Sequence, residues 1–187
     1  MSLQPLAAVL VHTPVVDRRG DRVTTAVTNL DLHDIARSAR TYGLKRFYVV
    51  TPVVEQQRLV GKLLGHWTEG SGAEYNPSRQ QALELIRVFS SFDEVLDDWR
   101  NMTGAEPLPI LTGASREDGI SFAECRRQLQ QGPGLLVFGT GWGLAPEFFS
   151  NDWQVLEPVL GVDGYNHLSV RAAAAIILDR LAGRFGL

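Results

Sequence analysis

The sequence predicts an α/β protein with a mostly parallel sheet flanked by helices. Three observations lead there. Short apolar runs of buried-strand type recur at 7–12 (AAVLVH), 46–51 (RFYVVT), 109–112 (PILT) and 135–138 (LLVF). Amphipathic stretches with recognisable caps and stops separate them. Strands alternate with helices from end to end, and that alternation is how parallel sheets are connected.

Taken in order, the first run is a strand, followed by a turn at Arg18-Arg19-Gly20-Asp21. Residues 24–28 read as extended. Residues 32–42 read as a helix, with Leu32, Ile35, Ala36 and Ala39 on one face and Gly43 as its stop. The second strand, 46–51, ends at Pro52. An amphipathic helix is expected over 54–67, then a polar, glycine-bearing loop over 68–78. Ser78 is a candidate cap for a helix over 79–88, with a short β-type segment at 88–89. Ser91 or Asp93 can cap a helix over 94–102. The third strand, 109–112, runs into Gly113-Ala114-Ser115. Residues 121–130 are helical and contain the single cysteine, Cys125, read as buried filler rather than a nucleophile. The fourth strand, 135–138, is followed by a short helix at 145–149 and an irregular extended segment at 155–159, where Pro158 argues against a central strand. Ser169 caps a closing helix over 170–182, which Gly183 ends.

The length of 187 residues suits one domain spanning 1–187, large enough to bury roughly two-thirds of its unfolded surface. The hydrophobic fraction of 44% and charged fraction of 21% are those of an ordinary soluble globule. No apolar run approaches the ~20 residues that span a bilayer, and Met1-Ser2-Leu3-Gln4-Pro5 lacks the charged start of a signal peptide. A lone cysteine fits a reducing, cytoplasmic setting. The net charge of −3 argues against a nonspecific polyanion binder, although Arg18, Arg19 and Arg22 cluster locally.

The chemistry-bearing region is the last quarter. The fourth strand opens into Gly139-Thr140-Gly141-Trp142-Gly143-Leu144, and a second loop, Tyr165-Asn166-His167-Leu168-Ser169, precedes the Ala-rich closing helix. Both loops have the composition of a ligand cradle. The glycine spacing is not G-x-G-x-x-G, and the loop comes late rather than after the first strand, so a dinucleotide fold is disfavoured. No P-loop pattern is present, and His12, His33, His66 and His167 are too scattered to suggest a metal site.

Three segments in order resemble the SPOUT superfamily of α/β-knot RNA methyltransferases. Residues 29–43 resemble its first motif, with Arg37 on the family's arginine, Gly43 on its glycine, and Asp31 where the family has Asn. Residues 136–144 resemble its glycine loop, without the family's acid. Residues 156–176 resemble its closing motif, with Asn166 and Ser169-Val170 matched. The layout, including 66–72 (HWTEGSG), is similar to a small bacterial group of RNA methyltransferase domains, some fused to a tRNA guanine-N1 methyltransferase. The resemblance implies a C-terminal trefoil knot, S-adenosylmethionine as cofactor, a homodimer, and RNA, in particular tRNA, as substrate.

On that resemblance the cofactor is expected between three loops: Thr112, Gly113 and Ala114; Gly139, Thr140, Gly141 and Gly143; and Leu156, Val159, Tyr165, Asn166, His167, Leu168 and Ser169. The glycines would let backbone approach the ligand. Arg37, Asn166 and Ser169 are the candidate catalytic residues, Arg37 as a bidentate holder of the target phosphate rather than a literal base. Arg18, Arg19 and Arg22 would touch RNA backbone. The leading expectation is tRNA ribose 2′-O-methylation, which needs neither metal nor covalent nucleophile. The alternatives are guanine N1 methylation, for which Asp31, Asp163 or Glu157 could supply a carboxylate base, and a cofactor- or RNA-binding module without turnover.

Overall fold

The structure is a computed structural model, and it describes residues 3–183. Met1 and Ser2, part of the segment read above for a signal peptide, lie outside the described residues. The elements run β1 (Leu6–Val11), β2 (Val15–Val16), β3 (Arg22–Val23), α1 (Asn29–Thr41), β4 (Arg46–Val50), α2 (Val54–Thr68), α3 (Ser71–Tyr75), α4 (Pro77–Leu83), β5 (Ile86–Phe89), α5 (Phe92–Thr103), β6 (Leu108–Leu111), α6 (Phe122–Gln128), β7 (Gly134–Gly139), β8 (Gln154–Val155) and α7 (Val170–Ala182).

Six strands form one parallel sheet in the order β5-β4-β1-β7-β6-β8. β1 is central, and all six of its residues are buried. That explains its unbroken apolar run, because both faces are covered. On one face, Leu32, Ile35, Ala36 and Ala39 of α1 pack with Ala174, Ile177, Leu178 and Leu181 of α7 over Ala8, Leu10, Leu136 and Phe138. Cys125 of α6 is in this layer, and burial pushes its thiol up to about 12, so it is protonated filler. On the other face, Phe92, Val95 and Trp99 of α5 cover Ala7, Val9, Leu135 and Val137, helped by Val15, Leu144 and Phe148.

Several local expectations are corrected. The 68–78 stretch is not all loop, since α3 occupies its middle. Asn76 rather than Ser78 caps α4: its side chain accepts from Arg79 N–H, and Pro77 supplies a pre-set first helical residue. α4 therefore stops at Leu83, freeing residues 86–89 to pair with β4. Residues 24–28, read as extended, lie outside the sheet, with Thr28 in extended conformation; β3 precedes them and pairs with β2 around the Arg18–Gly20 turn. The short helix after the glycine loop is a 3-10 turn, Pro146–Ser150, and the extended 155–159 segment keeps only Gln154–Val155 in the sheet. Thr28 and Ser169 cap α1 and α7, their side chains accepting from Asp31 N–H and Ala172 N–H.

The registers align strand ends. Val11 of β1 lies opposite Val50 on one side and Gly139 on the other. The chain after β1 leads to β4 and β5, whereas β7 and β6 lie on β1's opposite side. The crevice at the carboxyl ends of β1, β7 and β6 is therefore where an open parallel sheet accepts a ligand.

Candidate functional site

A cleft of about 480 Å³ opens at those carboxyl ends, a size suited to a cofactor. Three loops line it. Thr112, Gly113 and Ala114 follow β6; Gly139, Thr140, Gly141 and Gly143 follow β7; Val159, Asn166, His167, Leu168 and Ser169 precede α7. Thr25, Ala26, Thr28 and Asp31 add a fourth side from the N-terminal half. The fold thus brings together both candidate loops of the last quarter.

Two of the expected cofactor residues lie elsewhere. The Leu156 side chain is buried in the core, because residues 155–157 run between two neighbours. Leu156 N–H donates to Leu111 O at 2.8 Å, Glu157 N–H to Ile120 O at 2.9 Å, and Ile120 N–H to Val155 O at 2.7 Å. Tyr165 is 72% exposed and rests edge-on against His167 rather than lining the cleft. Arg37 is exposed on α1 and lines a neighbouring hollow with Asp34, Ser38 and Tyr42; Ser169 and Arg171 line both spaces. Arg18 and Arg19 project from the β2–β3 turn, and Arg22 pairs with Glu147 at 3.0 Å.

Gly139 and Gly141 also meet a packing need within the chain. A Cβ on Gly139 would lie 2.5 Å from Leu144 N, and one on Gly141, at φ +61°, 2.9 Å from Val16 O. They let the loop fold against itself and β2. Trp142 N–H donates to Val16 O at 2.9 Å and Val16 N–H to Gly143 O at 3.0 Å.

Asp31 is the buried charge of the site. Its Oδ2 accepts from Thr28 Oγ1 at 2.7 Å, and its Oδ1 from Arg171 Nη1 at 3.1 Å; Arg171 also reaches Asp34 at 3.6 Å. The pair ties α1 to α7 across the mouth of the cleft. Behind the cleft, His12 is fully buried, and burial pushes its pKa down to about 4 despite the opposing influence of Asp31. His12 Nδ1 lies 3.0 Å from Thr25 Oγ1, and Thr25 Oγ1 is bonded in turn to Thr140 Oγ1. Sequence reasoning did not place Thr25, Thr28 or Arg171 here. Nothing in a polar threonine run or a helix-surface arginine announces a distant loop as its partner.

A profile of the family described as SAM-dependent RNA methyltransferase matches residues 5–183. The chain belongs to the SAM-dependent RNA methyltransferase family. It is 46% and 48% identical, over 178 residues, to proteins named tRNA (guanine-N(1)-)-methyltransferase from Oleidesulfovibrio alaskensis and Nitratidesulfovibrio vulgaris. Those alignments cover 95% of this chain and 42% of each relative, so the chain spans less than half the length of the two. An uncharacterized protein of Aquifex aeolicus is 37% identical, with 94% of this chain and 87% of that protein aligned. The fold is also that of the TrmH/SpoU tRNA modifying enzyme of A. aeolicus, at TM-score 0.57 and 19% identity over 98% of this chain and 76% of the other.

The cleft of this family member suits S-adenosylmethionine. Val159 and Leu168 offer apolar surface, Thr140 and Ser169 hydroxyls, and Asp31 a carboxylate paired with Arg171. Among the described residues, 158–160 and 166–168 make no backbone–backbone hydrogen bond, and 162–164 form a one-turn 3-10 helix closed by Tyr165 N–H donating to Val162 O. Peptide groups of that wall are thus available to a nucleoside.

Proposed function

We propose that this chain is the methyl-transfer domain of a tRNA-modifying enzyme and that its acceptor is guanine N1. S-adenosylmethionine supplies an electrophilic methyl group when bound. A ring nitrogen bearing a proton must give it up as it is alkylated, so the site needs a base within reach. The observation that carries this reading is Asp31, a carboxylate lining the same cleft as the glycine and closing loops. Thr28 and Arg171 occupy two of its roughly four acceptor positions, which fixes its orientation and leaves others open to a proton. The names of the two relatives favour the same acceptor.

A second reading, ribose 2′-O-methylation, draws on Arg37. Ser169 and Arg171 border both its hollow and the cleft, so a phosphate gripped by Arg37 would lie beside the site. In either reading Asn166 and Ser169 orient the acceptor, and Arg18 and Arg19 contact RNA backbone.

The same proposal includes one domain, a trefoil knot, a homodimer and a cytoplasmic setting. What supports the knot is the passage of residues 155–157 between Leu111 and Ile120, two points on one stretch of chain. A Cβ on Gly119 would lie 2.4 Å from Glu157 N, so the passage is tight.

Incubating the chain with unmodified tRNA transcripts and labelled S-adenosylmethionine, then analysing nucleosides by mass spectrometry, tests the proposal. The expected product is 1-methylguanosine, lost in Asp31→Asn. A 2′-O-methylated nucleoside, lost in Arg37→Lys, would replace the first reading by the second. Absence of any methylated nucleoside would overturn both.

A further inference from the structure

His12 has no place in the chemistry above, yet it is a fully buried imidazole whose Nε2 has no hydrogen-bond partner. Its Nδ1 begins a chain of three side chains that ends in the cleft. The direction of that chain follows from its last member. Thr140 Oγ1 lies 3.0 Å from Val11 O, and a carbonyl can only accept, so the Thr140 hydroxyl hydrogen points there. In the Thr25–Thr140 pair, Thr25 must then be the donor. Having given its only hydrogen, Thr25 Oγ1 must accept from His12, so the proton of the imidazole sits on Nδ1. Burial keeps the ring neutral, which leaves Nε2 bare.

The end of the chain is at the cleft. Thr140 Oγ1 lines the cleft with its hydrogen committed to Val11 and one lone pair taken by Thr25. One lone pair remains. We infer that His12 is a positioning residue that makes Thr140 an obligate acceptor, so that this point of the cleft selects a ligand N–H or O–H donor, an amino or hydroxyl group of the bound nucleoside. Without a donor at His12, Thr25 Oγ1 no longer has to aim its hydrogen at Thr140, and Thr140, relieved of that donor, is free to turn its own hydrogen from Val11 O into the cleft, where it would repel the same donor. This rests on the S-adenosylmethionine reading only for the identity of the ligand. The direction of the chain does not depend on it.

Two measurements test the inference. Long-range proton–nitrogen correlation spectra of the full chain, with His12 assigned, report which ring nitrogen carries the proton. The expected result is a protonated Nδ1 and an unprotonated Nε2, and the opposite tautomer overturns the inference whatever the protein binds. Calorimetry with S-adenosylhomocysteine reads the consequence. His12→Leu and Thr140→Val should each weaken binding about tenfold, and the double variant no more than either alone, since both break one chain. His12→Asn, which can return an N–H toward Thr25, should stay within about threefold of the original. Additive losses, or a folded His12→Leu that binds undiminished, overturn the positioning role. If the unaltered protein fails to bind this ligand, the cofactor reading falls, and the tautomer measurement still decides the direction of the chain.

Discussion

Between residues 139 and 144 the cleft wall is stitched to the N-terminal half. Thr140 bonds Val11 through both N–H and hydroxyl, Trp142 N–H and Gly143 O meet the two polar groups of Val16, and Ala145 N–H reaches Pro14 O. Residues 158–168, whose two ends line the opposite side of the cleft, have fewer such ties. Their side-chain anchor is Asn166, whose amide donates to Ala114 O, and Leu160, Val162 and Tyr165 stand 77%, 82% and 72% exposed. One wall is bonded within the chain, and the other leaves peptide groups unpaired and apolar side chains exposed. The difference teaches how a small fold can hold a nucleoside. In the reading proposed here, a well-bonded floor would fix orientation, while an under-bonded flap would supply contacts that form on binding.

The sharpest way to break this contrast is at the rigid wall. Gly139→Ala places a methyl group against backbone that has nowhere to go, so it should cost about 3 kcal/mol in chemical denaturation. A cost under about 0.5 kcal/mol, the level of an ordinary surface change, would mean that the wall yields.

Acid should loosen the rigid side next. His12 falls from an ordinary 6.5 to about 4 on folding, so the unfolded chain takes up its proton first as pH drops. The stability His12 contributes is whole above pH 6.5 and is lost as pH falls toward 4, to the extent of roughly 3 kcal/mol. Denaturation midpoints across that window should show a loss that His12→Asn abolishes; an unchanged slope in the variant would assign the loss to other groups.

At the flap the effects should move from stability to binding. Asn166→Ala removes the tie to Ala114 and is expected to weaken S-adenosylhomocysteine about tenfold, with a melting midpoint within about 2 °C of the original. A fall in stability without a fall in affinity would make this wall structural. The smallest effect is expected at Val162→Ser. The side chain is 82% exposed, so unfolding free energy should change by no more than about 0.5 kcal/mol. A larger loss that depends on protein concentration would show the flap covered by a second copy.

Much of the fold was legible because it rests on local chemistry. β1 and β7 announced themselves as unbroken apolar runs, α1 through face periodicity and Gly43, and α7 through the Ser169 cap and Gly183. The boundary of α4 was misread because Ser78 and Asn76 are both competent caps, and Pro77 between them decided the matter. Of the site, the glycine loop and the Asn166–Ser169 segment were legible as a pair. Their reason was not: Gly139 and Gly141 make room for Leu144 and Val16, contacts that depend on where the chain returns. Leu156 looked like a cleft wall in one dimension and proved to be core in three.

The sequence by itself determined the main strands and helices, since these depend on side-chain periodicity and backbone preference within a few neighbours, and its three ordered motifs carried the resemblance to α/β-knot methyltransferases. Only the tertiary structure decided that His12, Thr25 and Thr140 form one directed chain, that Asp31 meets Arg171 across 140 positions, and that Arg37 faces an adjoining hollow. Hydrogen bonds and ion pairs act over about 3 Å of space. No pattern along the chain encodes which distant residues the sheet will bring within that reach.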